Sequence, residues 1–482
     1  MNQAEVREQA ARGDLSFLEG DELQEWVVGQ RWFGAKGRAI DKLELDEAFV
    51  LDASSSHVLA LMTVVLADRS RQAYTLALTG SPLRAAEPGD GAWRALAIAM
   101  ADGRTIPSLP VRDDPRLPPT AALVCRPAAA LADLAPDGPG EERDLGADQS
   151  HTSVVLGDTL LLKAYRRLQP GLNPDLEMTA FLSEDAGFPA VPRLAGFAEV
   201  VAQRGEPTTV AMLEEFVADG SDAFESIAGM LVGWMLSPGE VSLEFATDIA
   251  ADLGTLTAGL HAAVADGRGL PEMAPREATR AEVRGWATAA HKHLAEALDV
   301  ATDEAATLLR DLAPRIAEAI SIIDALPTAP EVVRAHGDYH LGQVLIAQDG
   351  FRIVDFEGEP LSDVEARRAH RPALRDVASM LLSLDHVARS AGRRAEAANG
   401  GPLDRPSLDL DAWIRRARER FLEAYRAGLL ERRVWMDIDP DLLHAFEVDK
   451  ELYEFAYAAT YLPSWLYAPI GGMRALFEDR GS

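Results

Sequence analysis

The chain has very little cysteine and no long apolar run, and each shortage excludes a class of protein. Cys125 is the single cysteine, so no intrachain disulfide can form, which favours a reducing compartment. Leu123 and Val124 precede it, which indicates a buried structural thiol rather than a catalytic one. No apolar stretch reaches the roughly 18 residues that a membrane-spanning helix needs. The N-terminus is polar and acidic, unlike a secretory signal. We therefore expect a cytoplasmic protein with no membrane partner.

The chain also has few basic residues relative to acidic ones. Lysine and arginine number 47 against 77 acidic residues, which gives a formal net charge of −30. Such an excess of carboxylates argues against binding to nucleic acid or to an anionic membrane. It is mainly a solubility feature, and it would tolerate or mildly attract a cationic substrate. A bound nucleotide is itself an anion, so its site would have to be locally basic or loaded with metal.

The length and the pattern of breakers predict several domains. A chain of 482 residues exceeds one average hydrophobic core. Residues 1–88 combine a helical opening with strand-like runs and end in a loop rich in Gly and Pro. Residues 89–217 mix short strands with breakers, and residues 218–482 follow a mainly helical periodicity. The sequence therefore predicts three regions, but it does not indicate an oligomeric state.

The most informative segment is residues 336–345, in which Asp338 precedes Gln343 by five positions and Asp355 by seventeen. The runs on either side of Asp349-Gly350 are apolar and β-branched, which predicts a hairpin that sets Gln343 opposite Asp355. Protein kinases use this order, with a catalytic Asp, a metal-binding amide five positions later and a second Asp on the next hairpin. Oxygen ligands of this kind suit Mg²⁺. We predict Asp338 as the catalytic base and Gln343 and Asp355 as metal ligands; the alternative is an acidic turn near an ordinary hairpin.

A zinc site is a second alternative for the same segment. His336 and His340 are four positions apart, a spacing that serves zinc when both side chains lie on one helical face. Gly337 and the following strand argue against a helix, and the segment contains no cysteine. We expect His336 to brace the loop by a hydrogen bond, and His340 to face the phosphates or the substrate, or simply to pack.

Residues 159–165 form a predicted strand that carries Lys163, and a Gly157-Asp158 turn joins it to an earlier strand. This hairpin is expected to place Lys163 opposite Thr152, at the edge of a loop whose amides and hydroxyls can cradle phosphates. Fourteen residues after Lys163, Glu177 lies on a predicted helix that begins near Pro174. A Lys163–Glu177 pair would hold the ammonium against phosphates, although such a pair also arises by chance. The predicted phosphate loop comprises Ser150, His151, Thr152 and Ser153.

A further apolar strand, residues 210–217, leads into a loop. Its backbone at Glu215, Phe216 and Val217 is a candidate to hydrogen-bond an adenine ring. The alternative is a plain edge strand without a role in binding.

Taken together, these segments resemble the maltokinase-like branch of the aminoglycoside-phosphotransferase superfamily, a branch that also contains actinobacterial glucosamine kinases. The resemblance extends over almost the whole chain. The segments that carry it are Gln30–Gly34, Ser150–Val155, Leu162–Arg167, Gly171–Glu177, His336–Gln343 and Asp355–Pro360.

The resemblance implies an α+β, bilobal, eukaryotic-protein-kinase-like fold. It implies an N-terminal cap over residues 1–88, a β-rich nucleotide-binding lobe over 89–217 and a helical lobe with the sugar site over 218–482. It also implies ATP and Mg²⁺ as cofactors, with Asp338 as base, Gln343 and Asp355 on the metal and Lys163 on a phosphate.

The predicted reaction is phosphorylation of glucosamine to glucosamine 6-phosphate. The alternatives are a maltokinase that forms maltose 1-phosphate, an aminoglycoside-type phosphotransferase and a non-catalytic nucleotide-binding module. Tyr339 stands where a maltokinase is expected to have Leu, and a larger ring there would shorten the acceptor pocket.

An amine-bearing sugar is a cation, so it should meet carboxylates and stack on aromatic rings. Some of the acidic candidates also suit purely structural roles: Glu451 and Glu454 fit a solvated helix face, and Arg375-Asp376 fits an internal ion pair. The candidate substrate residues are His340, Glu357, Glu359, Asp376, Asp411, Trp413, Glu451, Tyr453, Glu454 and Trp465.

Overall fold

The computed structural model describes residues 21–30, 33–35, 38–52, 57–80, 84–109, 121–146, 151–203, 205–237, 239, 241–359, 364–403 and 408–478. Ser150, Arg31, Trp32 and Pro360, named above, lie outside these ranges. The chain divides into two compact units, residues 1–184 with 192–218 and residues 185–191 with 219–482. The predicted boundary at residue 88 falls inside the first unit and stays a prediction.

The first unit is rich in strands. Its helices are α1 (Asp21–Gly29), α2 (Ala92–Ala101), α3 (Leu131–Leu134) and α4 (Pro174–Ala180), which continues as a π-helical turn over Phe181–Asp185. Its strands are β1 (Ile40–Val50), β2 (Val58–Leu66), β3 (Arg71–Thr79), β4 (Arg84–Ala85), β5 (Thr105–Pro107), β6 (Ala121–Pro127), β7 (Glu142–Asp144), β8 (Thr152–Leu156), β9 (Leu160–Ala164), β10 (Arg167–Leu168), β11 (Leu194–Ala202) and β12 (Thr208–Glu215).

Two antiparallel sheets share these strands. The smaller has the order β1-β2-β3-β10, with β4 paired to β3, and the larger has the order β5-β6-β11-β12-β9-β8-β7. Strand β2 is apolar along most of its length and is buried, as expected of a central strand. Strand β12 is also central, so the interpretation of residues 210–217 as a plain edge strand is wrong.

Cys125 lies on β6 and is buried. Burial raises the pKa of its thiol to about 12, which keeps the sulfur protonated and unreactive. The prediction of a structural thiol is confirmed.

The hairpin of β8 and β9 forms with a register one residue away from the prediction. Lys163 lies opposite Ser153, and Thr152 lies opposite Ala164. Leu156 and Leu160 close the hairpin around a three-residue connection that starts at Gly157 with φ of 62°. The prediction rests on a two-residue Gly157-Asp158 turn, and the extra loop residue shifts every pair by one.

The second unit is mainly helical. Its α-helices are α5 (Ala223–Leu236), α6 (Leu243–Ala246), α7 (Asp248–Asp266), α8 (Arg280–Val300), α9 (Asp303–Asp324), α10 (Val364–Arg368), α11 (Leu374–Asn399), α12 (Leu410–Glu431), α13 (Pro440–Tyr461) and α14 (Tyr467–Glu478). Short 3₁₀ turns cover Gly267–Gly269, Leu341–Gln343 and Pro463–Trp465. None of the helices within the described ranges has the length and apolarity needed to cross a bilayer.

Two small sheets interrupt these helices. Strands β13 (Ser221–Asp222), β16 (Val344–Ala347) and β17 (Gly350–Ile353) form one in that order, and β14 (Arg276–Glu277) pairs with β15 (Glu331–Val332). Helix α13 starts sharply, because the Asp439 side chain accepts hydrogen bonds from the N–H groups of Asp441 and Leu442, and Pro440 occupies the first turn. This cap fixes the helix that carries several residues of the site.

Helices α7 and α12 approach each other closely through small residues. A Cβ atom on Gly254 would clash with the carbonyl oxygen of Phe421, and one on Gly428 would lie 2.8 Å from the Cβ of Ala258. The contact brings His261 of α7 against Tyr425 of α12, with Nδ1 and the hydroxyl 2.8 Å apart. The two glycines therefore set the spacing on which this hydrogen bond depends.

We predict that Gly254→Ala lowers the free energy of unfolding by about 1–3 kcal/mol, because the added methyl group forces the helices apart. Gly285→Ala is the matched control, since Gly285 is helical and exposed and its Cβ would meet nothing within 4 Å. The control should gain up to about 1 kcal/mol from helix propensity alone. Denaturant unfolding of both variants checks this; equal effects at the two sites would contradict the packing argument.

Candidate active site

The predicted hairpin after the His-Gly-Asp segment is confirmed. Strands β16 and β17 pair with Val344 opposite Ile353, and the N–H of Val354 donates to the carbonyl of Gln343 at 3.0 Å. The side chains of Gln343 and Asp355 consequently lie side by side, and Gln343 Nε2 donates to Asp355 Oδ2 at 3.1 Å.

Asp355 has two unusual features. Its backbone φ is 64°, in the left-handed region that non-glycine residues rarely adopt. Its second oxygen, Oδ1, is buried and has no hydrogen-bond partner among the described residues. A buried carboxylate oxygen without a donor is costly, and a hard cation is the group that relieves that cost. A carboxylate beside an amide side chain fits Mg²⁺, which completes its coordination with water and substrate phosphates.

A buried carboxylate holds the loop in front of this hairpin. Asp376 on α11 accepts hydrogen bonds from the N–H groups of His336 at 2.8 Å and Gly337 at 3.0 Å. His261 Nε2 lies 3.3 Å from the same side chain, and Asp376 is only 1% exposed. The prediction of Asp376 as a substrate contact is therefore wrong, because both of its oxygens serve the loop.

The two histidines of the segment contact different groups. His336 Nε2 lies 3.1 Å from the carbonyl of Val354, so this ring braces the loop against the hairpin as predicted. His340 Nδ1 accepts from the N–H of Gly342 at 3.1 Å, and its Nε2 lies 3.7 Å from Asp338 Oδ2. The described residues contain no cluster of His, Cys, Asp and Glu suited to a metal, so the zinc alternative has no support.

Asp338 has a partner that is not predicted from the sequence. Lys450 Nζ lies 3.0 Å from Asp338 Oδ1 and 2.8 Å from Glu454 Oε1. Burial alone would raise the pKa of Asp338, but Lys450 and His340 outweigh burial and hold it well below its usual range. The pKa of Lys450 is raised well above its usual value by the carboxylates around it, against the opposing effect of burial. Asp338 is therefore ionised at neutral pH. In the sequence, the four-residue spacing of Lys450 and Glu454, about one helical turn, indicates an ion pair between these two residues but no contact with Asp338.

A cavity of about 440 Å³ opens beside Asp338 within the second unit. Four of the predicted substrate residues line it: His340, Tyr453, Glu454 and Trp465. The remaining lining residues are not predicted from the sequence. They come from the start of α5, from the 3₁₀ turn, from α11, from α13 and from the segment after α13. These are Asp222, Phe224, Glu225, Gly342, Ser379, Leu382, Ser383, His386, Lys450, Tyr457 and Leu462.

Glu451 lies behind the cavity wall rather than in it. It is fully buried, and both carboxylate oxygens lie 3.1 Å from Nε2 of His386, which lines the cavity. Although burial would lower the pKa of His386, Glu451 outweighs it and raises that pKa to about 9. The prediction that Glu451 contacts substrate is wrong; it keeps a cavity-lining imidazole charged.

Two further aromatic predictions are also wrong. Trp413 is fully buried and its Nε1 donates to the carbonyl of Ala246 at 2.7 Å, so it cannot stack on a sugar. Tyr339 is fully buried as well, with its hydroxyl 3.1 Å from Thr257 Oγ1. Tyr339 is not among the residues that line the cavity, so its ring does not shorten it.

The other acidic candidates lie outside this cavity. Asp411 is exposed on α12. Glu357 lies 3.8 Å from Arg367, and Glu359 lies 3.9 Å from Arg371. Neither glutamate is part of the cavity lining at Asp338, although Glu359 borders a smaller recess of about 30 Å³ that Lys450 shares.

In the first unit, Lys163 is buried and ion-paired. Its Nζ lies 2.8 Å from Glu214 and 3.3 Å from Asp175, which also meets the hydroxyl of Tyr165 at 3.2 Å. Neither carboxylate is among the residues predicted from the sequence, although Glu214 is an acid at the end of an apolar strand. Glu177 is buried on the same helix as Asp175, and its pairing with Lys163 stays a prediction.

Several residues of the predicted phosphate loop and adenine segment are already buried or hydrogen-bonded within this unit. His151 and Ser153 are buried, and Thr152 Oγ1 accepts from Arg166 Nε at 2.6 Å. The N–H of Glu215 donates to Arg193 and the N–H of Phe216 donates to Thr159, each to a backbone carbonyl. An adenine contact at residues 215–217 would use other backbone groups, and it stays a prediction.

Comparison with known proteins gives a consistent set of relatives. Residues 26–105 match the maltokinase N-terminal cap domain, and residues 141–435 match the phosphotransferase enzyme family. A glucosamine kinase of Streptacidiphilus jiangxiensis is 31% identical over 445 residues, or 89% of this chain and 91% of the relative. A glucosamine kinase of Mycolicibacterium smegmatis is 30% identical over 338 residues, or 70% of this chain and 80% of the relative.

Solved structures agree. A glucosamine kinase in complex with glucosamine, ADP and inorganic phosphate matches with a TM-score of 0.70 and 28% identity, over 94% of this chain and 98% of that one. A second crystal form of a glucosamine kinase, crystal form B, gives a TM-score of 0.73 at 28% identity, over the same shares of the two chains. The predicted α+β, bilobal kinase-like fold with an N-terminal cap is confirmed. The chain belongs to the phosphotransferase enzyme family, in the branch that carries a maltokinase N-terminal cap domain and includes the glucosamine kinases.

Proposed function

We propose that the chain is an ATP-dependent sugar kinase that transfers the γ-phosphate of ATP to glucosamine and forms glucosamine 6-phosphate. The observation that carries this proposal is an ionised Asp338 at the wall of a cavity lined by further carboxylates and aromatic rings. The glucosamine kinases among its relatives, which align over most of the chain, support the same substrate.

The cavity suits a small cationic sugar. Its volume lies within the range of small-molecule sites, at the lower end. Trp465 and Tyr453 offer ring faces on which a pyranose can pack, and Glu454 and Asp222 offer carboxylates for an ammonium group. Glu225 contributes less free charge, because Arg394 pairs with it in a bidentate contact at 2.6 and 2.8 Å. A cationic monosaccharide therefore fits this lining better than a neutral disaccharide.

Asp338 is the proposed catalytic residue. Its carboxylate accepts a hydrogen bond from the acceptor hydroxyl and orients the oxygen for in-line attack on the γ-phosphate. A carboxylate with so low a pKa is a weak base, so it takes the proton only as the new O–P bond develops. Lys450 fixes Oδ1 at 3.0 Å, and Oδ2, which has His340 Nε2 at 3.7 Å, is the oxygen proposed to accept from the hydroxyl.

Metal binding and phosphate binding are assigned to side chains that contacts within the protein already hold in position. Gln343 and Asp355 are the residues that would hold Mg²⁺, and a cation held there would supply positive charge against the charge that develops on the phosphate. Lys163, set between Asp175 and Glu214, is the proposed phosphate contact of the first unit, with residues 151–153 as the surrounding loop. These carboxylates pair with the ammonium and restrict its rotamers before nucleotide arrives.

Maltose phosphorylation is the second candidate. The specific observation in its favour is the match of residues 26–105 to the maltokinase N-terminal cap domain. That match concerns the cap rather than the cavity at Asp338, so we rank maltose below glucosamine.

A panel of sugars tests the proposed reaction. We expect kcat/KM for glucosamine to exceed that for glucose, N-acetylglucosamine and maltose by at least about tenfold, because only glucosamine offers a cation to the carboxylates. Release of ADP gives the rate, and NMR of the product gives the phosphorylated position. Faster turnover of maltose would reverse the ranking, and no sugar-stimulated ADP release at all would contradict the kinase proposal.

Replacement of the base should separate catalysis from binding. Asp338→Asn is expected to lower kcat by about 10²- to 10⁴-fold, because the amide cannot accept the hydroxyl proton. Calorimetry should find ADP affinity within about twofold of the unaltered protein, since the nucleotide contacts are elsewhere. Asp349→Asn, at the exposed turn of the same hairpin, is the control. Full activity of the Asp338 variant would remove the residue from its role.

The ion pair of Asp338 with Lys450 predicts a change in pH dependence. In the unaltered protein the pKa of Asp338 lies far below neutrality, so this carboxylate stays active between about pH 5 and 8. Lys450→Met removes the main group that lowers this pKa and leaves burial, which raises it. The acid limb of kcat/KM should therefore move up by about one pH unit or more.

Lys292→Met, which removes an exposed lysine paired with Glu296, is the matched control for that profile. Its profile should coincide with that of the unaltered protein. An unchanged acid limb in Lys450→Met would show that Asp338 does not need Lys450 to stay ionised.

A further inference from the structure

Arg166 occupies an unusual position between the predicted phosphate loop and the cap. It follows β9, the strand of Lys163, and is only 7% exposed. Its Nε donates to Thr152 Oγ1 at 2.6 Å, and its Nη1 donates to the carbonyl of Thr75 at 3.3 Å. The guanidinium also stacks over the ring of Trp93, 5.0 Å from the centroid. Thr75 and Trp93 belong to the segment that matches the cap domain.

The backbone makes the same connection. The N–H of Thr75 donates to the carbonyl of Arg166 at 2.8 Å. The next two residues form β10, which pairs with Tyr74 and Ala73 of β3 in the cap sheet. The strand that carries Lys163 therefore passes directly into the cap sheet, with Arg166 at the transition.

The contact with Thr152 has a chemical consequence. A hydroxyl that accepts a hydrogen bond from a guanidinium must direct its own hydrogen elsewhere, so Thr152 is oriented as a donor. Phosphate oxygens are acceptors only. Burial lowers the pKa of Arg166 to about 10, and the group is still a cation at neutral pH. Its charge adds to the local positive potential that a nucleotide needs in a chain with a net charge of −30.

We propose that Arg166 is a positioning residue for the nucleotide, through which the cap sets the orientation of the Thr152 hydroxyl. The cap is thus an integral part of the nucleotide site and not an independent appendage. This inference rests on the proposed function, since it takes residues 151–153 as the phosphate loop.

A mutant cycle tests the connection. Arg166→Met keeps the length of the side chain and its packing on Trp93 but removes the charge and the hydrogen bonds to Thr152 and Thr75. Thr152→Val removes the hydroxyl alone, and it keeps the test open if Arg166→Met does not fold. We expect each change to weaken Mg·ADP binding, measured by calorimetry, and to raise KM for ATP by about tenfold, with KM for the sugar within about twofold. The double variant should be no weaker than Arg166→Met alone, because the two residues act through one contact.

Arg104→Met is the matched control. Arg104 lies in the same cap-matching segment and donates from Nη1 to the carbonyl of Leu51 at 2.8 Å, a hydrogen bond that involves neither Arg166 nor Thr152. This variant should lose stability without losing nucleotide affinity. An equal loss of affinity in Arg104→Met would mean that any damage to the cap suffices and would overturn the role of Arg166. Normal affinity in both Arg166→Met and Thr152→Val would overturn it too, while leaving the kinase proposal intact. Failure of the unaltered protein to bind Mg·ADP would instead overturn the proposed function itself.

Discussion

The geometry of the proposed catalytic loop depends on one buried carboxylate, Asp376. It accepts backbone hydrogen bonds from His336 and Gly337, and the φ of 89° at Gly337 lets the chain present both N–H groups to a single side chain. Burial would raise the pKa of Asp376, but His261 and the backbone donors outweigh it and keep that pKa below its usual range. An ionised acceptor makes both loop hydrogen bonds stronger than neutral ones. Asp338 follows directly, so its direction is set by this pair of bonds.

The support of Asp376 extends into the helical packing. His261 reaches Asp376 from α7 and in turn meets Tyr425 of α12, two helices brought together by Gly254 and Gly428. Packed helices have discrete arrangements, because side chains at close contact cannot shift by fractions of an ångström without cost. The position of the loop is therefore tied to a rigid part of the second unit. A methyl group added at Gly254 would shift the helices, and the hydrogen bonds from Tyr425 to His261, from His261 to Asp376 and from Asp376 to the loop would carry that shift to Asp338.

How far the sequence predicts this site depends on whether the signal is local. The sequence predicts the hairpin at Asp349, the adjacency of Gln343 and Asp355, and the family. All three depend on turn chemistry and fixed spacing within one short segment. Lys450, which is 112 residues from Asp338 in the chain, cannot be paired with it from sequence, since only tertiary packing brings α13 to the loop. The hairpin at Gly157 shows a subtler limit: its turn is recognisable, but the length of that turn, and with it the register of Lys163, is not.

Errors among the predicted substrate residues have one physical cause. An acidic or aromatic side chain near a motif can serve the scaffold as well as the ligand, and composition does not distinguish the two. Asp376 and Glu451 have the carboxylates that an amine requires, yet both are buried and bonded to protein groups. Trp413 has a suitable ring, which is fully buried against the protein interior. Burial and hydrogen-bond partners decide such cases, and neither is encoded locally.

The balance of charge around the cavity gives the amine preference its physical basis. Four carboxylates line the cavity, from Asp222, Glu225, Asp338 and Glu454, against the fixed cations of Lys450 and His386. Burial would lower the pKa of His340, but Asp338 raises it above its usual value. Arg394 compensates Glu225, and Glu451 compensates His386. The carboxylates of Asp222, Asp338 and Glu454 then outnumber Lys450 and a charged His340. A neutral sugar would leave that excess negative charge in a partly desolvated space, whereas an ammonium group compensates it. Lys450 already pairs with Glu454, so an incoming amine shares that carboxylate with Lys450 or binds to Asp222. Selectivity for a cationic sugar then follows from the surplus of carboxylates in the wall as a whole, and not from any single residue.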